Sequence, residues 1–372
     1  MRFAYLTRTS VLLTAALALT GCLDDGGSGS DDTSLGQLNY NGIGGLTYQT
    51  QSQRSKTNTR GEFRYYPGET LSLWVGNLPL VDGVPAQRYV TPLEFIPENR
   101  AALANPITDD EGLSTHTLRE QQLLDNRVMR NITRLLMVLN WTGDVRKGEK
   151  IDIRDRVITQ LNNVLPTLSA PIDFTVTEAE FSESESGLSP ANQLLAAICF
   201  YPEDHPLCDE PPTELEIALA PEEPDNEDER DPDVEYREDL QSLRDAILDA
   251  VRDLDEVSSE EVETYLEREL TAITTAVSNT YYLDEDVASH PASDTGLKSV
   301  GIRLIGGKAQ LADVEAMSTR SDQVVIHAAD WQRSRLEYFV AGEAGGESEL
   351  VLSFRPDDTY RWVRKQLRVL IR

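Results

Sequence analysis

Cys199 and Cys208 are the residues whose type and spacing most directly dictate chemistry. They flank a loop, Phe200 to Leu207, that carries two prolines. A pair of thiols at this separation reads as a disulfide in an oxidising compartment. A redox pair prefers two intervening residues, and a metal site would find only His205 nearby. Elsewhere the chain has no Gly-x-Ser-x-Gly elbow, no His-Glu-x-x-His, no phosphate-cradling glycine loop ending in Lys-Ser/Thr, and no Cys-x-x-Cys. The four histidines, His116, His205, His290 and His327, are scattered singly. His327 reads as a structural histidine in a strand, and His290, before Pro291, as a solvated loop residue. Asp109-Asp110-Glu111-Gly112 and Asp284-Glu285-Asp286 offer carboxylates but lack the alternating spacing that wraps a loop round calcium. Acidic residues are too abundant for any carboxylate pair to signal glycoside hydrolysis, which is set by separation in space. The expectation is therefore a non-enzymatic protein, with no catalytic residue, metal or cofactor.

Cys22 carries a different chemistry. A basic start (Arg2, Arg8) precedes the apolar run Val11 to Leu19, and Thr20-Gly21-Cys22 follow. Charged start, short apolar core and small residues at a cleavage point make an export signal. The run is shorter than the ~20 residues a membrane-spanning helix needs. Leu19-Thr20-Gly21-Cys22 resembles the lipobox of bacterial lipoproteins. That resemblance implies diacylglyceryl modification of Cys22, cleavage before it, and anchoring of an otherwise soluble body to a membrane. Leu23, where the family's inner-membrane proteins commonly carry Asp, tilts the expectation towards the outer membrane, while Asp24 and Asp25 weaken it. The implied setting is the cell envelope, facing the periplasm or the surface.

The formal net charge is −30, and it is unevenly spread. Residues 203–263 hold 25 carboxylates against four arginines, Arg230, Arg237, Arg244 and Arg252. Phosphate backbones would be repelled, so nucleic acid is excluded as a partner, and flat contact of this segment with anionic lipid is disfavoured. Residues 209–235, rich in proline and acid, are expected to form a disordered or extended loop.

Elements follow from periodicity. Short alternating runs from Gly42 to Leu93, split by Gly and Pro, predict a small antiparallel β module. Leu124, Val128, Ile132, Leu135 and Leu139 recur at three and four, predicting one amphipathic helix over 118–140. Arg156 to Leu165 reads as a second helix. Leu240 to Leu254 and Val262 to Val277 predict a helical hairpin or one kinked helix, the second half opened by a Ser258-x-x-Glu261 capping box. Alternating runs from Val300 onward, five to seven strands in all, predict a β-sandwich or small barrel. The fold class is thus α+β. Its expected segments are a signal (1–21), a flexible tether (22–38), a β module (39–105), a mixed helical region (106–208), an acidic loop (209–235), a helical hairpin (236–283) and a C-terminal β domain (297–372).

Gly45-Leu-x-Tyr48, Gly61-x-Phe-x-Tyr65, Pro67-Gly-Glu-x-Leu71, Val75-Gly76 and Thr91-Pro-Leu93 together resemble a β module near the N-terminus of many proteobacterial surface lipoproteins. In those relatives a Leu-Leu-x-x-Leu segment leads into an acidic run. Here Leu135 to Leu139 leads into Asn140, Trp141 and Thr142, so a cation site does not carry over. Some relatives bear a label tied to organic-solvent tolerance, which implies an alternative function: an accessory of envelope lipid or solvent transport that binds an apolar ligand. The leading expectation is a binding or structural protein of the envelope. Its C-terminal cations Arg361, Arg364, Lys365, Arg368 and Arg372 could meet an acidic partner, or could protect a sheet edge or pair with the acidic helices.

Overall fold

The computed structural model describes residues 33–142, 149–184, 187–224 and 230–372. The expectations for residues 1–32, Cys22 included, lie outside them.

Alternation builds the N-terminal part. Its strands are β1 (Ser34–Leu38), β2 (Ile43–Gly44), β3 (Thr47–Gln49), β4 (Arg54–Lys56), β5 (Glu62–Tyr65), β6 (Thr70–Val75), β7 (Leu78–Pro85) and β8 (Tyr89–Val90). β4-β3-β6-β7 form an antiparallel sheet, and β5-β1-β8 a second one with a parallel β1–β8 pair. In β6, Leu71, Leu73 and Val75 are buried while Ser72 and Trp74 face outward, as a period of two requires. The tether expected to reach residue 38 ends earlier, because Ser34–Leu38 is a strand whose Leu38 is wholly buried. Nor does the module close on itself: β2 pairs in parallel with β11 (Ile151–Asp152), far along the chain. Gly45, at φ +89°, permits that crossing, since a Cβ there would collide with the Ile153 carbonyl.

Between β8 and β11 lie α1 (Pro97–Leu103), the two-stranded β9 (Ile107–Thr108) and β10 (Ser114–Thr115), α2 (Thr117–Leu123) and α3 (Arg127–Val138). The single helix expected over 118–140 is therefore two. Asn126 breaks it: its side chain accepts from the Met129 N–H and caps α3. Residues 131–140 are buried all round, so α3 is a central core helix. Its buried polar groups find partners: Asn131 donates to the Phe174 and Val176 carbonyls, and Asn140 accepts from the Asp152 N–H. Asn140 thus holds β11 against the end of α3.

Then come α4 (Asp155–Val164), α5 (Glu178–Ser182), β12 (Glu183–Ser184), β13 (Gly187–Leu188), α6 (Pro190–Ala196), α7 (Glu214–Leu219), α8 (Arg237–Asp249) and α9 (Ser259–Asn279). Cys199 and Cys208 are disulfide-bonded. The acidic stretch expected to be loop contains α7, opened by a Thr213–Glu216 capping box with reciprocal bonds of 2.7 and 3.2 Å. The expected hairpin does not form, for α8 packs on α7 rather than on α9. Arg134 explains the divergence. Buried in α3, it donates to the carbonyls of Leu254 and Val257 at 2.7 and 2.9 Å, pinning the α8–α9 connection to the core.

The C-terminal part has β14 (Tyr281–Leu283), β15 (Val287–His290), β16 (Lys298–Leu304), β17 (Leu311–Ser318), β18 (Val324–Asp330), β19 (Arg335–Val340), β20 (Glu347–Pro356) and β21 (Val363–Ile371). They make two four-stranded sheets, β14-β16-β19-β18 and β15-β21-β20-β17, antiparallel except for β15–β21. One apolar cluster, including Val300, Tyr338, Leu352, Phe354 and Val369, fills the space between them. β21 lies inside its sheet, so its charges guard no edge. The fold is α+β, and residues 33–372 form one compact unit, in place of separate modules. α9 joins the parts: Val262, Tyr265, Leu266 and Leu270 enter the first apolar cluster, Ile273 and Val277 the second.

Closing the loop between Cys199 and Cys208 restricts the unfolded chain by about 2.5–3 kcal/mol on the chain-entropy estimate. Replacing both cysteines by serine should lower the unfolding free energy by about that amount in urea titration, with the far-ultraviolet spectrum retained.

Candidate functional site

The densest chemistry lies where α2, α9 and the approach to β21 meet. Arg361, just before β21, is 1% exposed and faces two buried carboxylates. Its Nε lies 3.5 Å from Glu120 Oε1, and its Nη2 lies 3.9 Å from Glu94 Oε2. Glu94 is fixed by the Thr91 N–H at 2.7 Å and by Gln87. The Tyr360 hydroxyl donates to Glu120 Oε1 at 2.7 Å. His116, one turn before Glu120, has both ring nitrogens engaged: the Trp362 N–H donates to Nδ1 at 2.9 Å, and Nε2 pairs with Thr274 Oγ1 at 2.9 Å. Sequence reasoning missed this cluster. The His116-x-x-x-Glu120 spacing, one helical turn, was its available signal.

Burial sets the protonation of the cluster. Desolvation, helped by Arg361, lowers His116 to about 3, so the imidazole is neutral. Desolvation outweighs Arg361 and the Tyr360 bond at Glu120 and raises it to about 7, with Glu94 adding to the rise. One cation facing two carboxyls thereby leaves room for one bound proton.

Thr274, His116 and Glu120 are the residue types of a hydroxyl–imidazole–carboxylate relay, but the tautomer is the wrong one. In such a relay Nε2 accepts the hydroxyl proton and Nδ1–H donates to the carboxylate. Here a backbone N–H occupies Nδ1, so Nε2 carries the proton and donates to Thr274. The imidazole has no free lone pair for a base or a metal. What the cluster does is bind four chain segments together around Arg361. Above Glu120 an open groove of about 260 Å³ runs between α2 and α9, rimmed by Thr117, Gln121, Thr271 and Thr274 with Leu124 and Leu270.

The C-terminal cations are not a free patch. Arg361 is buried, so it cannot meet an outside partner, because its charge is needed by Glu94 and Glu120. Arg364 pairs with Asp109 and Glu111, the latter at 2.9 Å, which also accounts for the first acidic run. Arg368 pairs with Glu347, and Arg372 donates to the Ser289 carbonyl at 3.3 Å. Burial lowers Lys365, with Asp286 opposing. In the second acidic run, Asp284 is held by Arg303 and the Gly301 N–H. His290 meets the Tyr338 hydroxyl at 3.0 Å and is lowered chiefly by burial. His327 does lie in a strand, but it is exposed, at a register shift in β18, which corrects its reading as a structural histidine. His205 stacks on Tyr201 beside the disulfide.

No protein family and no curated protein matches this chain. A part of it is similar to a solved structure, that of domains 4 and 5 of the S-layer protein SbsC, at 15% identity over 24% of this chain and with a TM-score of 0.19. The match spans about half of that structure's length, 51%. A score so low carries no argument about fold or function.

Two outcomes test the cluster. Arg361→Met leaves buried carboxyls without their cation and should cost about 3–5 kcal/mol of stability in urea unfolding. Glu120→Gln tests the proton. His116 loses stability for the fold as pH drops below its usual 6.5, since the folded chain resists protonating it. Glu120 does the reverse, losing stability as pH rises from the usual 4.5 through about 7. Between 4.5 and 6.5 the proton sits on the carboxyl when folded and on the imidazole when unfolded, so the two contributions offset. The Gln variant should therefore lose stability from pH 6.5 down to 4.5 more steeply than the parent chain. Parallel pH profiles would contradict this assignment.

Proposed function

We propose that this chain is a lipid-anchored protein of the bacterial cell envelope, tethered through Cys22 and acting by binding or by structuring the envelope rather than by catalysis. The observation that carries the reading is the string Leu19-Thr20-Gly21-Cys22 behind a basic start and a short apolar run. The bonded Cys199–Cys208 pair supports an oxidising compartment, and the acyl chains of such an anchor would hold the body stably only when two or more are present. Among the described residues no helix is long and apolar enough to cross a membrane, so attachment in this reading rests on the lipid. Leu23 favours the outer membrane, facing the periplasm or the surface.

A binding role is favoured because the chemistry of the interior is engaged in positioning, as the locked His116 tautomer illustrates. The alternative, a carrier of apolar ligands in lipid or solvent transport, calls for an enclosed apolar cavity. The space between α2 and α9 is instead an open, hydroxyl-rimmed groove.

Cys22→Ser should abolish incorporation of labelled palmitate and release the chain from the membrane fraction. A variant that still labels and sediments with membranes would overturn the proposal.

A further inference from the structure

The outer face of the sheet β4-β3-β6-β7 carries groups that the fold itself does not use. Register places Lys56, Thr47 and Trp74 in one row across β4, β3 and β6. Their neighbours Tyr48, Leu73 and Val75 point into the core, so this row points out. Trp74 stacks on no aromatic ring and sits under no cation among the described residues. Arg54, next to Lys56 on the same strand face, is exposed and has no hydrogen bond or ion pair among them. α4 closes one side: Asn162 Oδ1 accepts from the Asn77 N–H at 2.7 Å, and Lys56 pairs with Asp155 at 2.6 Å. Gly76, at φ +54°, allows this close approach, because a Cβ would strike the Asn162 side chain. The result is an open groove of about 350 Å³ with Trp74 as one wall, Asn77 and Asn162 at one end and Arg54 at the other.

We propose that this groove binds an acidic saccharide, a pyranose bearing a carboxylate. A sugar ring has an apolar C–H face that can lie on an indole and a hydroxyl rim that bonds amides and hydroxyls. Arg54 supplies the fork that matches a carboxylate in two parallel hydrogen bonds. The chain is acidic overall, yet the groove is not. Asp155 neutralises only Lys56, leaving Arg54 uncompensated. The Asp82 carboxylate, on the far strand β7, is already engaged by the Ser72 hydroxyl. The groove is preformed on a sheet, so little ordering opposes binding.

The proposal rests on reading this chain as a binding protein and names its ligand class. Its test does not involve the anchor, so it can fail while palmitate labelling of Cys22 succeeds. Calorimetric titration of the full chain in mild detergent with trigalacturonate should give saturable binding, and maltotriose, which lacks the carboxylates, should bind about tenfold more weakly or less. Trp74→Ala and Arg54→Gln should each weaken trigalacturonate by about tenfold or more. Trp331→Ala, at an exposed tryptophan of the C-terminal sheets, should leave it unchanged. Absence of trigalacturonate binding, equal binding of maltotriose, or indifference to Trp74→Ala and Arg54→Gln would each overturn the proposal.

Discussion

A guanidinium removed from water must be met by opposite charge, or burial costs several kcal/mol. Arg361 is such a group: its Nε and Nη2 make no hydrogen bond, and the opposing charge comes from Glu94 and Glu120, which the fold has to bring to it. Its partners come from separate stretches: Glu94 from the turn after β8, Glu120 from α2, and, through the His116 ring, Thr274 from α9. None of these can leave without stranding a charge or a polar atom. The requirement draws the N-terminal sheets, the central helices and the C-terminal sandwich into one body. α9, about 30 Å long at 1.5 Å per residue, then lies along both apolar clusters and completes the connection.

A second set of arginines repeats the device at helix ends. Arg134 holds the α8–α9 connection, and Arg252 donates to the Val138 carbonyl at the end of α3 while its guanidinium lies 3.8 Å above Phe200. Acidic residues outnumber basic ones by 64 to 34, and several of the arginines act inside the fold rather than on its surface. The acidic residues therefore dominate what solvent meets. Such a surface makes the local exception around Arg54 and Trp74 chemically distinct.

Legibility in the sequence followed how local each signal was. The alternation of β6 and of the final strand, the apolar stripe of α9 and the Ser258 capping box depend on neighbours a few residues apart, and each yields the element observed. The Cys199–Cys208 bond was legible from spacing for the same reason. The missing features are long-range. Nothing near Arg361 in the chain announces that Glu94 and Glu120 await it, so a basic run looked like surface. The divergence of α8 from α9 depends on Arg134, more than a hundred residues away. Asn126 and the Thr213–Glu216 box were local signals for a helix break and a helix start, overridden by a longer apolar stripe in one case and by acidic, proline-rich composition in the other.

One compact body, residues 33–372, proposed to hang from a lipid at Cys22, presents preformed surfaces. The central physical claim is that these residues behave as one cooperative unit held by the buried charge cluster. Native-state hydrogen exchange across sub-denaturing urea measures this directly, because it resolves the opening free energy of each element. The account predicts that amides of β6, α9 and β20 converge on one common opening free energy and denaturant dependence. Separate openings, with β20 and β21 still protected while β6 and β7 exchange, would contradict it.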